Sequence, residues 1–307
     1  MTPAVQPELP RRVEGSESPT TPEFGDIPEV YYRAAAPVLG HFPGHHRSRR
    51  GDSGFEFRGH ASLLDAPDPR RLDLHASLRD PFGGWRVRLY SQRMAMPVVV
   101  VADLSASMGF EGRQHRTTVL ADLVQSLALS AWRTGDRFGF VGCDTGVRSD
   151  WLLLPTRVRG AAEALAQALR AGVPMGASST SATGLGLAAS MLGRQRALVL
   201  LVSDFHLPPA DIDAVLASLA AHDVVPVVLW DTLEYAPAAQ RGLLHTVDPE
   251  SGRRRLVWWR PALRVRWQGA VAQRRARLQA DFAARRLRPL FIEGAFDADA
   301  VTRHFHP

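Results

Sequence analysis

The sequence has almost no cysteine and no lysine, and it contains no long uninterrupted run of apolar residues. Its one cysteine, Cys143, excludes an internal disulfide and lies in an apolar run that is typical of a buried thiol. No segment approaches the roughly 20 apolar residues that a membrane-spanning helix needs, and the first residues lack the basic and apolar regions of a signal peptide. We therefore expect a cytoplasmic protein without a membrane span.

Arginine is the only residue type that supplies the chain's positive charge, apart from histidine. Arginine and lysine together number 37, all of them arginine, against 31 acidic residues, and the formal net charge is +6. Such a bias suits recognition of phosphate or carboxylate groups, but a compositional bias of the coding DNA explains it equally well. Because acidic residues are interspersed and no basic block carries evenly spaced aromatic residues, we do not expect nucleic-acid binding.

With 307 residues, the chain is long enough for one large or two modest domains. Because 45% of its residues are hydrophobic, it can also form a sizeable core. Residues 1–30 are rich in Pro, Ser, Thr and Glu, which predicts a disordered leader. Short strand-like segments separated by turns predict a small β-rich subdomain over 31–95. Residues 96–307 alternate strands and helices, which predicts a doubly wound, mostly parallel α/β sheet with a hairpin and a long helix inserted around 240–288. The strand-like segments 137–143 and 147–154 are separated by only three residues, which predicts that the second of them is an antiparallel edge strand.

One stretch combines a strong structural signal with polar side chains. The four valines at 98–101 predict a strand that is buried on both faces of a parallel sheet. Asp103, Ser105 and Ser107 follow at alternating positions, so an extended turn would direct three oxygen-bearing side chains to one point. Carboxylate and hydroxyl oxygens suit Mg²⁺ or Mn²⁺ better than Zn²⁺, and open α/β sheets bind ligands at the carboxyl ends of their strands.

This Asp-x-Ser-x-Ser motif resembles the metal-ion-dependent adhesion site of von Willebrand factor A (vWA) domains. The resemblance implies two further groups, a threonine from a later loop and an aspartate after the fourth strand. Thr183 is the best candidate for the threonine, with Thr180 and Ser181 as close alternatives, although hydroxyls in such a loop also cap helices. Asp204, at the end of a later apolar run, is the expected aspartate.

The resemblance implies a docking site rather than a catalytic one. Ser105, Ser107 and Thr183 would bind the cation directly, and Asp103 and Asp204 would supply charge directly or through water, which leaves part of an octahedral Mg²⁺ shell free. Mn²⁺ and Ca²⁺ are alternatives to Mg²⁺. Because only two carboxylates offset the ion, it stays electrophilic and can accept a carboxylate from another protein.

The segment before this motif carries a second resemblance. The pattern Asp-x-Arg-Arg-x-Asp at 68–73, followed by Ala-Ser-Leu-Arg at 76–79 and an arginine-bearing strand, is similar to the domain-of-unknown-function fifty-eight (DUF58) family. That resemblance implies partnership with a MoxR-type AAA+ ATPase in the maturation or metal loading of a client. The sequence at 58–65 is most similar to MxaS-like proteins encoded with methanol dehydrogenases, which makes a methanol dehydrogenase the implied client.

Four alternatives remain open from the sequence. A Mg²⁺-dependent hydrolase or phosphoryl-transfer enzyme could use the same strand end, although the chain has no lysine and no aspartate two residues after Asp103. A serine nucleophile would need a histidine, for which His115 and His206 are the nearest in sequence. The serines could also cap a helix without any metal. The β-rich subdomain could be structural only, with Arg70, Arg71 and Asp73 in ion pairs.

Overall fold

The computed structural model describes residues 27–33, 43–47, 56–91, 93–109, 114–174, 183–231, 242–247 and 254–306. Its strands, in chain order, are β1 (Pro43–Arg47), β2 (Glu56–Ser62), β3 (Arg86–Ser91), β4 (Arg93–Met94), β5 (Pro97–Asp103), β6 (Arg137–Cys143), β7 (Val147–Thr156), β8 (Leu198–Ser203), β9 (Asp223–Trp230), β10 (Gly242–Val247), β11 (Arg254–Trp259) and β12 (Leu290–Glu293).

The helices, in chain order, are α1 (Leu74–Leu78), α2 (Arg116–Arg133), α3 (Arg159–Ala171), α4 (Thr183–Leu187), α5 (Pro209–Ser218), α6 (Pro261–Ala284) and α7 (Ala298–Phe305). Short 3₁₀ helices lie at Pro69–Arg71, Ala106–Gly109 and Ala188–Met191. Among the described residues, no helix is both long enough and apolar enough to cross a membrane.

A six-stranded sheet with the spatial order β12-β9-β8-β5-β6-β7 forms the centre of the fold. Every neighbouring pair is parallel except β6 and β7, which are antiparallel, and β7 lies at the edge. The predicted mostly parallel α/β sheet is therefore confirmed, as is the antiparallel edge strand. From β5, the chain adds β6 and β7 on one side of that strand. It then crosses to the other side of β5 and adds β8, so the direction of the strand order reverses next to β5.

Strand β5 is the buried centre of this sheet, as its valines predict. All seven of its residues are buried. Because side chains alternate along a strand, Val98 and Val100 pack with α2 and α3 on one face, whereas Val99 and Val101 pack with α5 and α6 on the other. Each valine buried in this way stabilises the fold by about 1.5–3 kcal/mol.

Asp136, directly after α2, ties the start of β5 to the first described segment, 27–33. Its carboxylate accepts hydrogen bonds from the Met96 N–H at 2.9 Å and from the Tyr32 hydroxyl at 2.7 Å. Burial, followed by the nearby charge of Asp136, raises the pKa of Tyr32 well above its usual value. Of the leader predicted for 1–30, only 27–30 lie among the described residues.

In the predicted β-rich subdomain, β2 and β3 pair antiparallel, and α1 lies between them in sequence. The Asp73 carboxylate accepts hydrogen bonds from the Ala76 N–H at the start of α1, from Arg88 Nε at 2.8 Å and from His60 Nε2 at 2.9 Å. Arg88 and then His60 hold the pKa of Asp73 below its usual range. Of the residues expected in ion pairs here, Arg71 pairs with Asp68 at 3.2 Å, and the partner of Asp73 is Arg88, fifteen residues away.

Beyond β9 the chain forms an antiparallel hairpin and a long helix before it returns to the sheet. Strands β10 and β11 pair from Gly242 with Trp259 to Val247 with Arg254, and α6 follows directly. Leu278 and Phe282 of α6 are buried against the central sheet. Strand β12 then pairs in parallel with β9 and completes the sheet.

Candidate metal site

The candidate site begins where β5 ends. Asp103 is 5% exposed, and its Oδ1 accepts a hydrogen bond from the Ser105 N–H at 2.9 Å. This contact folds the chain back on itself, and the following 3₁₀ turn brings Ser105 Oγ within 3.2 Å of Ser107 Oγ. The other carboxylate oxygen, Oδ2, accepts a hydrogen bond from the Ser203 hydroxyl at 2.8 Å. Three predicted residues are thus gathered at one strand end.

Asp204 lies at the end of the neighbouring strand β8 and is 2% exposed. Its Oδ1 accepts a hydrogen bond from the His206 N–H at 3.1 Å. Phe205, the next residue, has φ +54°, a left-handed conformation that non-glycine residues rarely adopt. Such strained backbone clusters at functional sites, where the surrounding structure maintains it.

The environment of Asp103 disfavours its charged form. Burial raises the pKa of Asp103, and the negative charge of Asp204 raises it further, whereas hydrogen bonds from Ser105 and Ser203 act in the opposite direction. A bound cation would relieve both the burial cost and the mutual repulsion. The donor set therefore fits a hard divalent cation, because it consists of carboxylate and hydroxyl oxygens.

Arg116, the first residue of α2, is a part of the site that the sequence analysis missed. The residue is 4% exposed, and its Nη1 donates to the Ser107 carbonyl at 2.7 Å and to Asp204 Oδ2 at 2.8 Å. The site therefore contains a built-in positive charge. A buried carboxylate requires a cationic partner, and in a chain without lysine that partner must be an arginine or a histidine. The buried carboxylate of Asp204 is therefore the signal in the sequence for Arg116.

A second arginine reaches the same strand end from the long helix α6. Arg274 Nη2 donates to the Asp204 main-chain carbonyl at 2.9 Å, and its guanidinium lies 5.2 Å from the centre of the Trp230 ring. The loop after β8 is thus held by α2 on one side and by α6 on the other. Movement of either helix would therefore shift Asp204.

Thr183 is the first residue of α4, is exposed, and lies on a helix that contacts β5 and β7. The next residue, Gly184, packs closely against the turn between β6 and β7. A Cβ atom at this position would lie 2.5 Å from the Asp144 carbonyl oxygen and 2.8 Å from that of Gly146. The structure thus brings the Thr183 helix to the edge of the sheet that carries the site. The alternatives Thr180 and Ser181 lie outside the described residues.

The composition of the site separates it from other metal centres. Among the described residues, no group of three or more His, Cys, Asp or Glu side chains is placed to hold a metal ion. A cation here would depend on two carboxylates and on neutral hydroxyls, which disfavours Zn²⁺. A cavity of about 410 Å³ lies beside the site and is lined by Met108, His115, Arg116 and Arg170, among others.

Comparison with known proteins places the chain in a family. The family model described as "Protein of unknown function DUF58" matches residues 68–277. The chain belongs to the DUF58 family. The DUF58 match covers part of the β-rich subdomain, the candidate metal site and most of α6.

Individual relatives of this DUF58 chain are distant or short. A protein of Paracoccus denitrificans, described as an uncharacterized protein in the moxR 3' region, is 39% identical over 101 residues, which are 33% of this chain and 96% of that protein. Crystal structures of BatB from Bacteroides thetaiotaomicron and of an aerotolerance-related membrane protein from Bacteroides fragilis each align with 69% of the chain and with 96% and 97% of their own. Both are 11% identical, with a TM-score of 0.41.

Proposed function

We propose that this DUF58 chain is a non-enzymatic adaptor that binds a divalent cation at the carboxyl edge of its sheet and uses it to dock a carboxylate of a partner protein. The observation that carries the proposal is the convergence of Asp103, Ser105, Ser107 and Asp204 at the ends of two neighbouring strands. Mg²⁺ is the expected cation, with Mn²⁺ or Ca²⁺ as substitutes.

The strand order supports a doubly wound, vWA-type fold for the central domain. Helices cover both faces of the sheet, and the order reverses between β5 and β8. Open α/β sheets bind their ligands outside the carboxyl ends of the strands at such a reversal. Asp103 ends β5 and Asp204 directly follows β8, and these two strands flank this point. This location matches the metal-ion-dependent adhesion site that the Asp-x-Ser-x-Ser motif resembles.

The charges of the site explain how a cation would serve as a docking point. Ser105, Ser107 and Thr183 would offer hydroxyl oxygens, and Asp103 and Asp204 would supply negative charge. With both carboxylates ionised, Asp103, Asp204 and the Arg116 that pairs with Asp204 together carry one net negative charge. A bound divalent cation makes this group net positive, so the loaded site attracts a carboxylate more strongly than the empty site does.

The proposed partner is a MoxR-type AAA+ ATPase, and the proposed client is a protein or complex under maturation, such as a methanol dehydrogenase. Support for the ATPase comes from the family membership and from the relative whose name places it in the moxR 3' region. Support for the client comes only from the MxaS-like character of the sequence at 58–65. The docking mechanism requires an acidic side chain on whichever partner binds the cation.

The metal site is tested by calorimetric titration of the folded chain with Mg²⁺ and Mn²⁺. We expect the wild type to bind both ions and Asp103→Asn to bind at least about tenfold more weakly, because the variant loses a buried charge. Asp150→Asn is the matched control, since Asp150 is a carboxylate on β7 with a 59% exposed side chain, and it should bind like the wild type. Equal heats from wild type and Asp103→Asn would contradict the proposal.

The partner is tested by capture of a purified MoxR-type ATPase on the immobilised chain. Chelation is unsuitable here, because the ATPase itself uses a magnesium nucleotide. We therefore compare wild type with Asp103→Asn and expect capture to fall at least about tenfold in the variant, with Asp150→Asn unchanged. Equal capture by all three proteins, or none by the wild type, would refute metal-dependent docking. Ester or phosphate hydrolysis that Ser105→Ala abolishes would instead favour the enzyme alternative.

A further inference from the structure

The hairpin of β10 and β11 has an exposed apolar face. Leu243 pairs directly with Trp258, so both side chains lie on the same face, and Leu256 shares it because it is two residues from Trp258. These three residues are 51%, 64% and 54% exposed, respectively. Large apolar side chains grouped in this way are characteristic of binding surfaces.

The opposite face of the hairpin is anchored to the protein. Trp259 is 3% exposed, and its ring packs edge-on against Trp267 of α6, with 6.2 Å between the ring centres. Because neighbouring residues of a strand point to opposite faces, Trp258 is directed away from this contact. The hairpin therefore presents its apolar face from a fixed support.

The same segment concentrates the positive charge of the chain. Residues 254–280 contain eight arginines and no acidic residue, so this segment alone carries a charge of +8, compared with +6 for the whole chain. Several of these arginines are exposed near the hairpin and the first turns of α6, namely Arg254, Arg255, Arg260, Arg264 and Arg266. A partner for this surface must be anionic and must also accept apolar side chains.

We propose that the hairpin face and the exposed arginines bind the surface of an anionic phospholipid bilayer. Trp258, Leu243 and Leu256 would enter the headgroup region, where tryptophan is favoured, and the arginines would contact lipid phosphates. A single-stranded nucleic acid would use the tryptophan and the arginines, but it offers nothing to the two leucines. The leucines therefore favour a lipid surface over a nucleic acid.

Helix α6 contributes both to this surface and to the candidate metal site, but binding at the surface does not require the metal site. Arg274, on the same helix, donates to the Asp204 carbonyl, whereas Arg264 and Arg266 lie about three to four turns from the buried Leu278. Binding to lipid requires no cation at Asp103 or Asp204. The proposal therefore stands or falls separately from the docking function.

Flotation of the full chain with vesicles tests the proposal, in buffer with a chelator so that a metal cannot bridge protein and phosphate. We expect binding to phosphatidylcholine vesicles that contain phosphatidylglycerol, weak binding to pure phosphatidylcholine, and a decrease at high salt. The double variant Arg264→Gln/Arg266→Gln should bind roughly tenfold more weakly or worse. Arg157→Gln/Arg303→Gln, which removes two exposed arginines elsewhere, is the charge-matched control and should retain binding.

A second variant separates the apolar contribution from the electrostatic one. Trp258→Ser leaves the charge unchanged, and it should also lose binding to the anionic vesicles because the inserted ring is absent. All variants change exposed residues, so their thermal unfolding should match that of the wild type. Failure of the wild type to bind anionic vesicles would overturn the proposal. So would binding of a short RNA or DNA in place of the vesicles.

Discussion

Arg116→Met should lower the free energy of unfolding by about 3–5 kcal/mol, because it leaves the Asp204 carboxylate buried without its cationic partner. The two side chains are 4% and 2% exposed and meet at 2.8 Å, so water cannot replace the guanidinium. Methionine keeps much of the side-chain volume, which limits the effect of a cavity. Chemical denaturation of wild type and variant measures the difference.

Two comparisons make this result specific to the buried pair. Arg303 lies in the last turn of α7 and forms an exposed ion pair with Asp297, which directly precedes that helix. Arg303→Met should therefore change the free energy of unfolding by no more than about 1 kcal/mol. Adding Asp204→Asn to Arg116→Met should restore part of the loss, since the unpaired charge is then gone and the two effects are coupled. If Arg116→Met is as stable as Arg303→Met, the buried pair of Arg116 and Asp204 does not stabilise the fold to the extent that its burial indicates.

Arg116→Met also tests how the charge of Arg116 affects the stabilisation of the protein by Mg²⁺. Mg²⁺ that binds only the folded state raises its stability according to its concentration and affinity. In Arg116→Met, Asp204 has no neutralising guanidinium, so added Mg²⁺ should stabilise this variant more than it stabilises the wild type. An equal gain in both proteins would show that Arg116 does not contribute to the charge of the site.

Gly184→Ala should destabilise the fold by about 1–3 kcal/mol and weaken Mg²⁺ binding by roughly tenfold. The added methyl group would lie 2.5 Å from the Asp144 carbonyl oxygen and 2.9 Å from the Gly146 nitrogen, both of which are backbone atoms. Because backbone cannot rotate away as a side chain can, α4 must shift from the sheet edge and carry Thr183 with it. Unfolding and calorimetric titration measure the two effects.

Gly186→Ala is the matched control, because Gly186 lies in the same short helix and a Cβ there meets nothing within 4 Å. This substitution should be neutral or stabilise by up to about 1 kcal/mol, since alanine favours helices. Unchanged Mg²⁺ affinity in a destabilised Gly184→Ala would indicate that Thr183 is not the loop ligand. Thr180→Val and Ser181→Ala would then test the other two candidates.

The central sheet could be predicted because its signals are local and strong. The valines at 98–101 are buried on both faces, and the closeness of the segments that became β6 and β7 correctly indicated an antiparallel edge. Each of these features depends on patterns within a few residues. The long helix after Pro261 could be predicted for the same reason, although its exposed first turns could not.

The candidate site was predictable only for groups that follow a strand directly. Asp103, Ser105 and Ser107 share one turn, and Asp204 directly follows the neighbouring strand, so parallel pairing alone brings them together. Arg116 lies 88 residues from Asp204 in sequence, and no local pattern indicates their contact. The ligand roles of all five predicted residues, Thr183 included, stay predictions, as do the identity of the cation and the partner.

In the β-rich subdomain, too, the local features could be predicted from the sequence and the contacts between distant residues could not. The turn-forming character of 65–73 is visible in its prolines and aspartates, and the structure has a 3₁₀ turn and a helix cap there. The carboxylate of Asp73 nevertheless joins the helix cap to two strands through Arg88 and His60. Such pairing depends on the register of β2 against β3, which the sequence pattern does not specify.

The position of β12 has a consequence for synthesis on the ribosome. Strand β9 has β8 on one side and β12 on the other, yet residues 231–289 separate β9 from β12 in the chain. While that intervening segment is being translated, the outer edge of β9 has no strand to pair with and presents unsatisfied backbone groups. The nascent protein therefore passes through an interval in which this apolar edge needs protection from aggregation, and the interval ends only when β12 emerges.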